Sequence, residues 1–137
     1  MKIELTRQCI EELMKLAEEA KPIESCAILI GVVRGDVVKV VEICPAKNVD
    51  KSPTSFSVSP DDIYRAYRVA EEKDMEIVGI FHFHPAEPLP SGKDLDGMKK
   101  WPVVWLIMGL SGMRAFKLVN NHEVVEVELS VVNELDA

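Results

Sequence analysis

The chain contains three histidines, and two of them, His82 and His84, lie two residues apart at the end of an apolar run. In an extended strand, side chains two apart point to the same face, so both imidazoles could reach one metal ion. Asp94 follows His84 by ten residues, across a segment with Pro85, Pro88 and Pro90 that could return it as an oxygen ligand. Two histidines and one carboxylate leave a fourth position open on a tetrahedral Zn2+, the arrangement of catalytic rather than structural zinc sites. The same residues also have an ordinary reading. A His-x-His pair serves equally as two loop histidines with common hydrogen bonds, and Ser91 with Asp94 matches the Ser-x-x-acid pattern of a helix capping box. Cap and metal site are compatible, because a cap can hold Asp94 at a helix start that faces the histidines.

The sequence around these residues supplies the elements to position them. Thr6 can cap a helix over residues 7–20, whose apolar Cys9, Ile10, Leu13, Met14 and Ala17 recur at helical spacing until Lys21-Pro22 stops it. Ser25 to Val33 and Val37 to Cys44 are Val- and Ile-rich strands joined by Arg34-Gly35-Asp36. A polar loop from Asn48 to Thr54 leads to a short strand at Phe56-Ser57-Val58, and Ser59-Pro60 followed by Asp62 opens a second helix over 60–73. Ile77 to Phe81 reads as the strand that runs into His82. The prolines make a rigid loop, since each fixes φ and lacks an N–H. Ser91 then starts a short third helix. Val103–Met108, Met113–Val119 and Glu123–Leu129 are strands with turns at Ser111-Gly112 and Asn120-Asn121. This order predicts a mixed α/β fold, with helices packed on a mostly antiparallel sheet.

Length and composition narrow the function classes. With 137 residues, 47% hydrophobic and 28% charged, the expectation is a single domain over 1–137 with an ordinary core, not a disordered or low-complexity chain. A net charge of -7 offers no overall positive field for a phosphate backbone, which argues against nucleic acid. The N-terminus lacks an apolar leader region, and the longest apolar stretch, Val103 to Leu110, is far short of the ~20 residues that span a bilayer; a cytoplasmic protein without membrane partners is expected. Cys9, Cys26 and Cys44 are odd in number and lack Cys-x-x-Cys spacing, so a disulfide framework and a thiolate zinc site are both disfavoured. Cys26 reads as a core thiol, His122 as a turn residue, and Trp101 and Trp105 as packing around Pro102.

The string His82-Phe83-His84-Pro85, followed through the loop by Ser91-x-x-Asp94, resembles the signature of the JAMM or MPN+ metalloproteases, which release ubiquitin or ubiquitin-like proteins from isopeptide bonds. The likeness begins at Glu24-Ser25-Cys26-Ala27, which opens a strand ending at Gly31, and continues through Asn48, Phe56, Ser59-Pro60-Asp61 and the Ile77–His84 strand. It covers roughly residues 5–130. Three departures stand out: Phe83 replaces the usual Ser or Thr, Ala27 a common Gly, and the loop from His84 to Ser91 is one residue short.

The resemblance implies an MPN or cytidine-deaminase-like fold and a zinc-dependent isopeptidase. His82, His84 and Asp94 would bind Zn2+, and Glu24 would act as general base toward the attacking water. Ser91 would donate its hydroxyl to the oxyanion. From the residues alone Glu24 is one of 23 acids and cannot be selected. The implied substrate is a conjugate in which the C-terminal Gly of a SAMP-type, ubiquitin-like modifier is joined to a lysine amine. The implied partners are such β-grasp modifiers and their conjugates. The alternatives are a peptidase that processes a β-grasp sulfur-carrier protein and an inactive MPN-type scaffold.

Overall fold

Thr6 ends one element and starts the next in the computed structural model, which describes residues 1–50, 57–120 and 122–133. Its extended backbone closes strand β1 (Lys2–Thr6), and its Oγ1 accepts from the Cys9 amide 3.1 Å away to cap helix α1 (Arg7–Ala20). Strands β2 (Ser25–Arg34) and β3 (Val37–Ala46) form the expected hairpin, with Gly35 at φ +61 in its turn. Ser59 caps helix α2 (Pro60–Glu72), with Pro60 as its first residue and Asp61 and Asp62 in its first turn. Strand β4 (Glu76–Phe83), helix α3 (Gly92–Lys100) and strands β5 (Val104–Gly109), β6 (Gly112–Val119) and β7 (Glu123–Val132) complete the chain.

Two expectations need correction. Strand β1 was not anticipated, although Lys2-Ile3-Glu4-Leu5-Thr6 alternates polar and apolar and buries Ile3 and Leu5. Five residues are too few to announce a strand by themselves; their partners lie 35 residues or more away in sequence. Strand β4 runs two residues beyond Phe81 and takes in His82 and Phe83. Of the short strand expected at 56–58, Val58 forms one isolated bridge with Asn48, while Phe56 lies outside the described residues, as do Lys51 to Thr54 of the polar loop and Asn121 of the last turn.

Among the described residues the seven strands close in the order β1-β3-β2-β4-β5-β6-β7, with β1 parallel to both β3 and β7. The pair β4 and β5 is also parallel, and the other neighbours are antiparallel. The sheet is mixed and mostly antiparallel, as expected. Alternation along the strands sorts the core into two layers. Ala27, Leu29, Phe81, Phe83 and Leu106 pack with Leu13 and Ala17 of α1, whereas Ile28, Ile30, Ile80, Trp105 and Ile107 pack with Ala66 and Ala70 of α2 and Met98 of α3. His82, between Phe81 and Phe83, therefore projects into the α2–α3 layer. No helix among the described residues is long and apolar enough to cross a membrane.

Phe83 belongs to the α1 layer, on the opposite side of β4 from the histidines. Phe83→Ala should destabilise the protein by about 3–5 kcal/mol and leave the metal affinity measured well below its melting temperature unchanged. Denaturant unfolding and metal titration of the same sample check both halves.

Candidate metal centre and cleft

Three elements converge on His82. Glu24 stands immediately before β2, His82 faces it from the paired β4, and Asp94 is the third residue of α3. All three are buried: Glu24 is 4% exposed, His82 1% and Asp94 3%. His82 Nδ1 lies 3.3 Å from Glu24 Oε1, and its Nε2 lies 3.1 Å from Asp94 Oδ1. The half-buried His84 ring is centred 5.1 Å from that of His82, and its Nε2 faces the Leu89 carbonyl at 3.1 Å. Trp105 meets His82 edge-on at 6.0 Å between ring centres.

Asp94 divides its two oxygens between two tasks. Oδ2 accepts from the Ser91 amide at 2.8 Å while Ser91 Oγ accepts from the Asp94 amide at 3.1 Å, which completes the capping box read from the sequence. Oδ1 is the oxygen that faces His82. The loop that is one residue short thus still brings Asp94 to the histidines.

Charge follows from this geometry. Burial opposes a positive His82, but Asp94 and then Glu24 outweigh it and hold the imidazole above its usual 6.5. Burial also pushes the Asp94 carboxyl up, and hydrogen bonding from His82 and Ser91 more than offsets that, so it titrates below the ordinary aspartate range. Cys26, two residues beyond Glu24, is buried with its thiol directed to the Ala46 carbonyl at 3.5 Å. Burial first, then Asp62 and Glu24, push its pKa up to about 12, which leaves no thiolate for nucleophilic chemistry.

The residues present fit a divalent ion with nitrogen and oxygen preference. Donor atoms of His82, His84 and Asp94 all lie within 4.8 Å of one another. The 3.1 Å between His82 Nε2 and Asp94 Oδ1 is close to the roughly 3.3 Å that separates two ligands each ~2.0–2.1 Å from one tetrahedral ion. Each histidine also has a carbonyl or carboxylate beside its other nitrogen, the usual means of fixing the tautomer of a metal ligand.

The site opens on a cleft of about 960 Å3 lined by Glu24, His84, Ser91 and Asp94, by Trp101 and Trp105, and by the rim residues Asp50 and Ser57. Sequence reasoning missed how that rim is tied to the site. Buried Asn48 donates through Nδ2 to the Glu24 carbonyl at 2.9 Å, and its Oδ1 accepts from the amides of Asp50 at 3.0 Å and Ser57 at 3.1 Å. Asp62 at the start of α2 accepts from the preceding Lys47 amide at 2.8 Å. An asparagine in a polar loop gives no sign in sequence of which distant carbonyl it will reach. The two tryptophans, read as packing, pack and also wall the cleft; Trp105 Nε1 donates to the Trp101 carbonyl at 3.0 Å. His122 is exposed in the β6–β7 turn, outside the cluster.

Residues 6–119 match the Prok-JAB family, described as prokaryotic homologs of the JAB domain. A desampylase from Pyrococcus furiosus is 39% identical over 111 residues, which are 80% of this chain and 76% of that protein. A probable TtuB-protein conjugate cleaving protease from Thermus thermophilus is 34% identical over 93 residues, 66% of this chain and 62% of that one. Among solved structures, a Desulfitobacterium hafniense protein superposes with a TM-score of 0.83 at 30% identity, over 98% of this chain and 95% of its own. A Salinibacter ruber protein, at 24% identity and a TM-score of 0.73 over 96% and 91% of the two chains, shares the fold.

The raised His82 value sets the sign of a pH dependence. Stability from a charged His82 in the metal-free protein is complete below the unfolded imidazole's pKa and is lost as pH rises through the higher folded value. Metal needs that nitrogen unprotonated, so the stabilisation by bound metal should grow over the same interval. Thermal melts from pH 5 to 9, with and without zinc, should show opposite slopes, and His82→Gln should abolish both.

Proposed function

The chain belongs to the Prok-JAB family, and from that premise we propose that it is a zinc-dependent isopeptidase that hydrolyses the bond between the C-terminal glycine of a small ubiquitin-like modifier and a lysine amine. The observation that carries the reading is the buried His82, its two nitrogens facing Glu24 and Asp94, which themselves line a cleft together with His84 and Ser91. The names of the two relatives, a desampylase and a probable conjugate-cleaving protease, support a modifier conjugate as the substrate class.

His82, His84 and Asp94 would hold the zinc. Its chemistry when bound is that of a Lewis acid that polarises the carbonyl and brings the pKa of water toward ~7. Glu24 removes a proton from the attacking water as its oxygen bonds to the carbonyl carbon. It then delivers that proton to the lysine nitrogen as the carbon–nitrogen bond breaks, so one carboxylate serves as base and then as acid. The Ser91 hydroxyl accepts from the Asp94 amide and keeps its own hydrogen, which can be donated to the oxyanion. An extended glycine tail can lie along the cleft and gain affinity through main-chain hydrogen bonds, with the modifier's body outside it.

Zinc-loaded protein incubated with ubiquitin-like conjugates should release the free modifier and a free lysine. Chelator should stop this and zinc restore it, and His82→Ala and His84→Ala should retain neither metal nor activity. Glu24→Gln should keep its metal and lose about 10²–10⁴-fold in rate; near-normal rates with metal in place would move the base elsewhere, and intact metal in both histidine variants would overturn the site.

Ser91 carries two roles that one variant separates. Ser91→Ala should lower kcat by about 10²–10³-fold with KM little changed, through the lost oxyanion donor, and should cost about 1 kcal/mol of stability through the lost cap. A lower melting temperature with unchanged kcat would leave Ser91 as a cap alone.

A further inference from the structure

The loop from His84 to Pro90 carries one candidate ligand and leads to another, yet its prolines supply few hydrogen bonds of their own. Its support comes from the β5–β6 corner. The His84 amide donates to the Met108 carbonyl at 3.1 Å, the Leu110 amide donates to the Ala86 carbonyl at 2.8 Å, and Ser111 Oγ donates to Glu87 Oε2 at 2.8 Å. Between these contacts lies buried Gly109, the last residue of β5. A Cβ there would fall 2.4 Å from the Ala86 carbonyl oxygen, 2.5 Å from Pro88 N and 2.7 Å from Glu87 C. All three are backbone atoms of the loop, so no side chain can rotate away to make room. Gly109 is not among the glycines with positive φ, which are Gly35 and Gly112. The close approach of the loop, and not backbone conformation, is what demands a glycine at this position.

We propose that Gly109 is a positioning residue for the metal centre: the bare backbone of β5 is the seat on which the 84–90 loop rests, and this seat fixes His84 and the start of α3 relative to His82. The proposal rests on the reading of His82, His84 and Asp94 as ligands. Adding a methyl group at 109 must lift the loop, because the strand beneath is held by pairing of Gly109 with Gly112 of β6 and of the preceding Met108 with Phe83 of β4. His82, inside β4, stays in place while His84 and Asp94 move, so the cluster loses its common centre although every ligand is still present.

The test titrates metal-free full-length protein with zinc against a competing chelator, alongside circular dichroism and thermal melts. Gly109→Ala should stay folded and bind zinc about 10–100-fold more weakly than wild type, the scale of defects in the supports of metal ligands. Its cobalt form should also show altered visible bands. Gly112→Ala, at φ +142 in the same corner with nothing within 4 Å of its Cβ, is the control: it should lower the melting temperature and leave zinc affinity unchanged. Wild-type affinity in Gly109→Ala, or an equal loss in Gly112→Ala, overturns the proposal. If Gly109→Ala does not fold, Leu110→Pro decides, since it removes the amide bonded to Ala86 and sets the proline ring against that carbonyl; weaker zinc binding in the folded variant supports the seat and unchanged binding overturns it. Failure of the wild type itself to take zinc overturns the ligand reading and this proposal together, and is told apart by the wild-type titration.

Discussion

The structure depends on one buried imidazole held between two carboxylates. A lone ionised side chain in an apolar layer is costly, and carboxylates are tolerated there when a hydrogen-bonded partner of opposite charge shares the site. His82 provides that partner for Glu24 on one side and Asp94 on the other. Three elements distant in sequence, the start of β2, the end of β4 and the first turn of α3, must meet at one point for each group to be compensated. Displacing His82 leaves both buried carboxylates without their cationic partner, which makes the site a structural constraint as well as a chemical one.

The sheet is built to meet that constraint. Strand alternation gives β4 two unlike faces, with Phe81 and Phe83 in the α1 layer and Ile80 and His82 in the α2–α3 layer. Phe83 between two histidines is therefore a core residue, packed on the face of β4 opposite to them. Parallel pairing of β4 with β5 puts Trp105 and Ile107 on the histidine face and carries β5 to the corner under the proline loop. Strand β1 contributes from a distance: by bonding to both β3 and β7 it closes the ring of the described strands.

Legibility in the sequence tracked the range of the interaction. Helix α1 was readable to the residue because its signals are local: a Thr cap, helical apolar spacing and a Lys-Pro stop. The capping box at Ser91 and Asp94 was readable for the same reason. Strand β1 was not, since what makes it a strand is pairing with distant β3 and β7. At the site, the spacing of His82, His84 and Asp94 pointed to a metal, but Glu24 became selectable only through family resemblance; nothing within its own segment distinguishes it from other acids. The contact of Asn48 with Glu24 and the tryptophan wall were not readable for a related reason: they depend on partners that only the tertiary fold brings near, such as the Glu24 carbonyl and the His82 ring.

The cap and the candidate-ligand readings of Asp94, compatible in the sequence, fall on different oxygens in the structure. A carboxylate aimed at a buried imidazole by a flexible side chain would lose much of its advantage to rotamer entropy. Here the Ser91 amide holds Oδ2, and the Ser91 hydroxyl holds the Asp94 amide, so the side chain is fixed before any ligand arrives. Oδ1 is left directed at His82 Nε2, with the N-terminal end of α3 favouring the charged form of the carboxyl. The helix start is thus the device that preorganises the oxygen donor, and the hydroxyl that completes it stands at the lip of the cleft. One capping box sets both the candidate ligand and the candidate oxyanion donor, so a loop shortened by one residue can still deliver the two together: their mutual geometry is fixed by the helix turn, and the loop has only to place that turn against β4.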